Sequence, residues 1–217
     1  MAIINPFRLA QRSSAQESSA QRLNWLRAGV LGANDGIVSV AAIAVGVAGV
    51  TTASGPILTA GVAALIGGAI SMALGEYVSV SGQRDGERAQ IARAERRMIE
   101  LVAHPASYNE PSGMEIEPDG STSANVVSPW HAAFASAGAF LTGGVIPLLA
   151  ILLPPEYWRV PITFAVVLVA LAATGVVGAQ LGGGSRSRAA IRVVIGGALA
   201  LAATFTIGAF LGTSGVL

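Results

Sequence analysis

The sequence predicts an all-α membrane protein that crosses the bilayer with five transmembrane helices. Hydrophobic residues make up 53% of the chain and charged residues only 12%, whereas soluble domains are about 25% charged. The few charges are also clustered. Four stretches contain no charged residue, and each exceeds the roughly 20 residues that one helix needs to cross a bilayer; they lie between Asp35 and Glu76 and at 120–155, 160–185 and 193–217.

The first uncharged stretch is long enough for two spans, and Ser54-Gly55-Pro56 predicts a turn between them. The spans are expected to be helices because a helix satisfies its own backbone hydrogen bonds in lipid. The predicted spans are 28–50, 57–79, 131–153, 160–182 and 191–213.

Four segments follow from this pattern. Opposite charges three or four residues apart, such as Asp85 with Arg88, predict a charged helix after the second span. A linker rich in Pro, Ser, Gly and Asn follows it. The predicted segments are a cytosolic tail (1–27), transmembrane helices 1–2 (28–81), a charged cytosolic helix with a flexible linker (82–128) and transmembrane helices 3–5 (129–217).

Arginine predicts the orientation. All 13 basic residues are Arg, and five spans place 12 of them on one side, here called the Arg-rich side, and only Arg159 on the opposite side. The positive-inside rule makes the Arg-rich side cytosolic, with the N-terminus inside and the C-terminus outside. Arg beside spans indicates topology and not a nucleic-acid partner. The absence of Cys excludes disulfides and thiolate metal sites.

Two carboxylates lie inside predicted spans, Asp35 and Glu76. A charge near the bilayer centre costs at least about 2.5–3.5 kcal/mol, so such residues usually face a cavity and serve transport. Asp35 is roughly 10 Å deep at 1.5 Å per residue. Met72 and Glu76 are four residues apart and share one helix face. The three side chains are therefore expected to meet in the Arg-rich half of the membrane.

This grouping has the character of a metal site. Carboxylate oxygens with a thioether suit Fe²⁺ or Mn²⁺ better than Ca²⁺ or Mg²⁺. Asn34 and Ser39 are expected to add oxygens, and Glu87 and Glu95 to attract metal more weakly near the entrance. The metal would be a transported substrate and not a permanently bound cofactor. No nucleophile–base set or cofactor loop is visible, so an enzyme is not expected.

Simpler interpretations of these residues stay open. Glu76 could extend to the membrane surface, and Met72 could only pack. Asn34-Asp35-Gly36 would form a turn in a soluble protein, but inside an apolar stretch it indicates a polar or unwound point that lines a pathway.

Two segments carry a family resemblance. Residues 25–39, WLRAGVLGANDGIVS, and residues 68–80, GAISMALGEYVSV, resemble the first-span and second-span signatures of the vacuolar iron transporter family, and Gln83-Arg84-Asp85 continues the pattern. The resemblance extends from about residue 24 to the end. It implies a homodimer that exchanges cytosolic Fe²⁺ or Mn²⁺ for protons in metal homeostasis, along a pathway between subunits. The family's membrane aspartate and methionine fall on Asp35 and Met72.

The sequence departs from the family pattern in two places. Iron-transporting members have a long Glu-rich domain after the second span, whereas this chain has only a short segment there. The short segment resembles that of the nodulin-like branch of the family. Ala64 stands where some members have a glutamate. The absence of Lys and the abundance of Ala, Gly and Arg suggest a GC-rich bacterial genome. A location in the plasma membrane is therefore expected.

Two other functions stay open. The chain could carry another solute, with Asp35 and Glu76 relaying protons only. It could also be a non-transporting membrane scaffold that assembles through small residues spaced four apart, as at Gly32 and Gly36. This spacing, together with the resemblance, predicts a homodimer with spans one and two near its symmetry axis.

The Arg asymmetry predicts the sidedness of two serines. In sealed membrane vesicles of known sidedness, a thiol reagent that cannot cross lipid should label Ser187→Cys only from the cytosolic face and Ser214→Cys only from the other. The chain has no native Cys to interfere. Labelling of both positions from one face would contradict the predicted topology.

Overall fold

The described part of the chain is a bundle of five α-helices. The computed structural model describes residues 6–103 and 128–214. Each helix contains an apolar stretch long enough to cross a membrane, which confirms the prediction of an all-α protein with five spans. The helices are α1 (Pro6–Val50), α2 (Ser54–Ala103), α3 (Pro129–Leu152), α4 (Glu156–Leu181) and α5 (Arg186–Thr213).

The turn between α1 and α2 lies earlier than predicted. The chain turns at 51–53, where the backbone N–H of Ala53 donates to Thr51 Oγ1 at 3.1 Å. Ser54, Gly55 and Pro56 form the first turn of α2 instead. Proline is tolerated there because the first N–H groups of a helix have no partner within it.

Two helices are much longer than a bilayer is thick. α1 has 45 residues and α2 has 50, which correspond to about 68 and 75 Å against a hydrocarbon core of about 30 Å. The charged second half of α2 continues the span without a break and is largely exposed from Gly82 to Glu100. Residues 104–127, which hold most of the predicted linker, lie outside the described residues.

α1 is the central helix of the bundle. Among residues 6–103 and 128–214, it contacts all four other helices, whereas α2 contacts only α1 and α3, and α5 contacts only α1 and α4. The helices α2, α3, α4 and α5 therefore form an arc around α1, and this arc is open between α2 and α5.

Glycines set the distance between α1 and two of its neighbours. A Cβ atom at Gly36 would overlap the carbonyl oxygen of Phe140 on α3, and one at Gly143 would overlap that of Ala33 on α1. On α5, a Cβ at Gly208 would overlap the carbonyl of Gly46. Small residues allow such close packing, and in lipid this packing stabilises helix pairs that the hydrophobic effect does not hold together.

The small residues spaced four apart serve two different purposes. Gly32 and Gly36 face α3 within the chain, so the spacing that suggested a subunit contact at these positions is used for internal packing. Gly67, Ser71 and Gly75 on α2 are instead exposed, and a Cβ at either glycine would meet nothing within 4 Å. These three residues are called the α2 stripe below.

Aromatic side chains mark both ends of the membrane-spanning part. Trp130 stacks on Phe134 and lies 4.8 Å from the ring of Tyr77 at the Arg-rich end. Tyr157 and Trp158 form an edge-to-face pair at the opposite end, with ring centroids 5.5 Å apart. Tyr and Trp favour the membrane–water boundary because their rings are amphipathic. We therefore expect the two lipid headgroup layers at the levels of these two aromatic clusters.

The glycine contacts predict that an added methyl group lowers stability at a packed glycine but not at an exposed one. Gly36→Ala should destabilise the protein by about 1–3 kcal/mol because the methyl overlaps the α3 backbone, which cannot yield as a side chain would. Gly196→Ala on α5 is the matched control, since its methyl also enters open space. Thermal unfolding of both proteins in the same detergent measures the difference. Equal unfolding temperatures would contradict the close α1–α3 contact.

Candidate functional site

Asp35 lies in the membrane-spanning part of α1, where its side chain is partly buried. The hydroxyl of Ser39, one turn later, donates to Asp35 Oδ1 at 3.0 Å. The helix is regular through residues 34–36, so this is a polar point in a continuous helix and not an unwound one. This hydrogen bond satisfies a polar group that lipid could not, since a buried polar group without a partner is costly.

The side of α1 that bears Asp35 is turned away from the core. Leu31, four residues earlier on the same helix face, is 64% exposed, whereas Ile37 is only 1% exposed. Because the arc around α1 is open only between α2 and α5, the carboxylate faces this opening. Asp35 is thus within the membrane but at the edge of the chain's own packing.

Met72 of α2 reaches α1 at the level of Asp35. Its Cε atom lies 3.6 Å from the position that a Cβ of Gly32 would take, and Gly32 precedes Asp35 by three residues. The rest of the side chain packs against the cluster of Val40, Leu65 and Phe140. The end of the Met72 side chain therefore lies beside α1 at Gly32, less than one helical turn along the axis from Asp35.

Glu76 is partly buried and lies one turn from Met72 toward the Arg-rich side. It stands between the face of α2 that packs on α3, which includes Ala69, and the exposed α2 stripe. Glu76 is therefore partly accessible beside the packed face of α2.

Asn34 is directed to a different neighbour. Its Oδ1 accepts a hydrogen bond from Thr174 Oγ1 of α4 at 3.2 Å. Its side chain therefore points away from α2 and toward the closed side of the arc. Sequence reasoning did not single out Thr174, because a threonine in an apolar span commonly bonds to its own helix, as Thr174 also does with the Leu171 carbonyl.

Glu87 and Glu95 are both exposed on the second half of α2. They are eight residues apart on one helix, which separates them by about 12 Å. Within residues 6–103 and 128–214, no group of three or more His, Asp or Glu side chains lies close enough to hold a metal ion.

Comparison with known proteins decides the family. The model of the VIT family matches residues 26–117 and 101–209 of this chain. The chain is 42% identical over 198 residues to vacuolar iron transporter homolog 5 of Oryza sativa subsp. japonica, which covers 91% of this chain and 85% of the relative. It is 40% identical over 195 residues to vacuolar iron transporter homolog 2.1 of Arabidopsis thaliana, with 89% and 84% covered. The chain belongs to the VIT family.

Membership confirms the resemblance seen in the two signature segments, and the matched region includes Asp35, Met72 and Glu76. VIT family members are transporters and not enzymes, as the sequence indicated. The expected plasma-membrane location is wrong, because the relatives are named for the vacuole. That expectation came from amino-acid usage, which reflects the genome and not the membrane. The prediction of a multi-pass membrane protein is confirmed.

Proposed function

We propose that this VIT family member transports Fe²⁺, Mn²⁺ or both from the cytosol to the opposite side of the membrane in exchange for protons. The observation that supports it best is the placement of a carboxylate and a thioether on neighbouring helices. Asp35 is a partly buried carboxylate in the membrane-spanning part of the central helix, and Met72 of α2 reaches that helix at Gly32, three residues before Asp35. The relatives' name, iron transporter, supports iron as substrate.

The chemistry of Asp35 provides a physical basis for exchange. A proton and a metal cation compete for the same carboxylate oxygens, so loading one releases the other. The Ser39 hydroxyl donates to Asp35 Oδ1, and a hydroxyl can also accept a hydrogen bond from a protonated acid. The soft sulfur of Met72 favours Fe²⁺ or Mn²⁺ over Mg²⁺ and Ca²⁺.

The position of the carboxylates supports transport out of the cytosol. Glu76 is the carboxylate nearer the Arg-rich, cytosolic side and would receive the ion first. Glu87 and Glu95 lie farther out on the same helix and would raise the local cation concentration there. The ion would pass to Asp35 and Met72 and leave on the opposite side, which serves iron and manganese homeostasis.

A homodimer would complete the pathway. The α2 stripe offers a second helix close access, and Asp35 faces the opening beside α2. Two copies that meet along α2 would enclose the uncovered side of α1 and bring two sets of ligands together. The carboxylates of two chains could then serve one ion, whereas the described part of one chain has no group of three or more His, Asp or Glu side chains close enough to hold one.

The dimer proposal predicts different effects from two exposed glycines. Gly75→Leu should dissociate the dimer because the side chain fills the α2 stripe. Gly196→Leu on α5, also exposed and with nothing within 4 Å of an added Cβ, should not. Light scattering of the detergent-solubilised proteins gives the mass. A monomeric wild type, or a Gly75→Leu protein that is still a dimer, would argue against this interface.

Asp35→Asn should abolish metal transport while the protein still inserts and assembles. Removal of the charge eases insertion into lipid, and the amide keeps the shape but cannot bind and release a proton at neutral pH. Fe²⁺ and Mn²⁺ flux into vesicles of equal protein content, with and without a pH gradient, is the measurement.

Two comparison variants sharpen this test. Asp85→Asn removes a carboxylate from the exposed part of α2 and should keep wild-type flux. Met72→Leu keeps the volume and removes the sulfur, so it should change the preference among metals more than the total flux. Wild-type metal flux from Asp35→Asn would refute the mechanism. A wild-type protein that moves protons but no metal would favour the carrier of another solute, and one that moves neither would favour a scaffold.

A further inference from the structure

A buried arginine lies at the end of the bundle away from the proposed metal entrance. Arg159, near the start of α4, is the one basic residue assigned to the opposite side, and it is only 6% exposed. It donates to the carbonyl of Thr52 at 2.8 Å and to Ser54 Oγ at 3.0 Å. These bonds fasten the α1–α2 turn to α4.

The two hydrogen bonds do not compensate the charge of Arg159. Both partners are neutral groups, and a guanidinium has five N–H donors, of which these bonds use two. Among the described residues, its Nε is buried and has no hydrogen-bond partner. A buried charge is costly unless an opposite charge compensates it. The environment of Arg159 therefore favours an anion.

A cavity that could hold such a ligand is lined by Arg159. Its volume is about 430 Å³, within the range of about 300–1,000 Å³ that is usual for small-molecule sites. One part of the cavity wall is apolar and includes Ile57, Val160 and Phe205. The rest of the wall includes Tyr157 and the carboxylate of Glu156. A ligand that fills it would need an anionic group, a cationic group and an apolar portion.

The position of the cavity identifies the class of ligand. Tyr157 is 84% exposed and pairs with Trp158, which is 56% exposed, as expected for residues at headgroup level. We propose that this cavity binds the headgroup of a zwitterionic phospholipid from the adjoining leaflet. The phosphate would compensate Arg159, the amine would lie near Glu156, and the first methylenes of the acyl chains would contact the apolar wall. A free phosphate would use Arg159 in the same way, but the carboxylate of Glu156 would oppose it.

Glu156→Gln separates the two sources of phosphate. This substitution removes the negative charge proposed to bind the lipid amine. Glu156 is exposed, so its replacement leaves Arg159 and the α1–α2 turn intact. Delipidated wild-type protein, mixed with equal amounts of phosphatidylethanolamine and phosphatidylglycerol, should retain the amine-bearing lipid about fivefold more in native mass spectrometry, the factor that about 1 kcal/mol gives. Glu156→Gln should lose this preference, and Glu100→Gln, an exposed glutamate on the second half of α2, should keep it.

Arg159→Gln tests the anionic half of the site, by the loss of both lipids from a protein that is still folded. This variant also loses the hydrogen bonds from Arg159 to the α1–α2 turn, so its lipid retention is interpreted only for folded protein. The Glu156→Gln test does not depend on this variant. Equal retention of both lipids by the wild type would overturn the proposal. Thermal stabilisation by inorganic phosphate without a lipid preference would overturn it in favour of a small-anion site.

Discussion

Backbone contact between α1 and the helices α3 and α5 is the constraint on which the bundle depends. Lipid tails are as apolar as leucine, so burial of apolar area does little to hold membrane helices together. The contacts at Gly36 with Phe140, at Gly143 with Ala33 and at Gly208 with Gly46 bring main chains together directly, and dispersion then acts over many atoms at short range. With α1 held on both sides, α2 and α4 complete the arc around it.

This constraint fixes the rotation of α1 about its own axis, and the rotation gives three successive residues three different surroundings. Gly36 must face α3, because only glycine fits there. A helix turns by about 100° per residue, so Asn34 is carried round to Thr174 of α4 and Asp35 to the open side of the arc. The position of the proposed transport carboxylate is thus set by a glycine contact that has no role in chemistry.

The sequence alone predicted the spans well because long apolar stretches without a charge are typical of membrane helices and rare in soluble proteins. It misplaced the first turn, because Pro56 breaks helices in their interior but is tolerated in a first turn. It could not find the partner of Asn34, since Thr174 is 140 residues away in the chain. Nor could spacing distinguish Gly32 and Gly36, which pack internally, from Gly67 and Gly75, which face outward. That distinction depends on tertiary structure.

The positive-inside rule counts basic residues on each side of the membrane, and Arg159 shows that a buried arginine should be considered separately. The positive-inside rule concerns charges near the ends of spans, because it is the movement of these charges across the membrane that is opposed. The single arginine on the opposite side is 6% exposed and bonded to the α1–α2 turn, so it is tied into the fold and is not a free surface charge. Its fixed position near the membrane boundary, beside the Tyr157–Trp158 pair, is also where water and headgroup phosphates can reduce the cost of the charge. The exception to the Arg asymmetry is therefore explained by the role of Arg159 in fastening the first turn to α4.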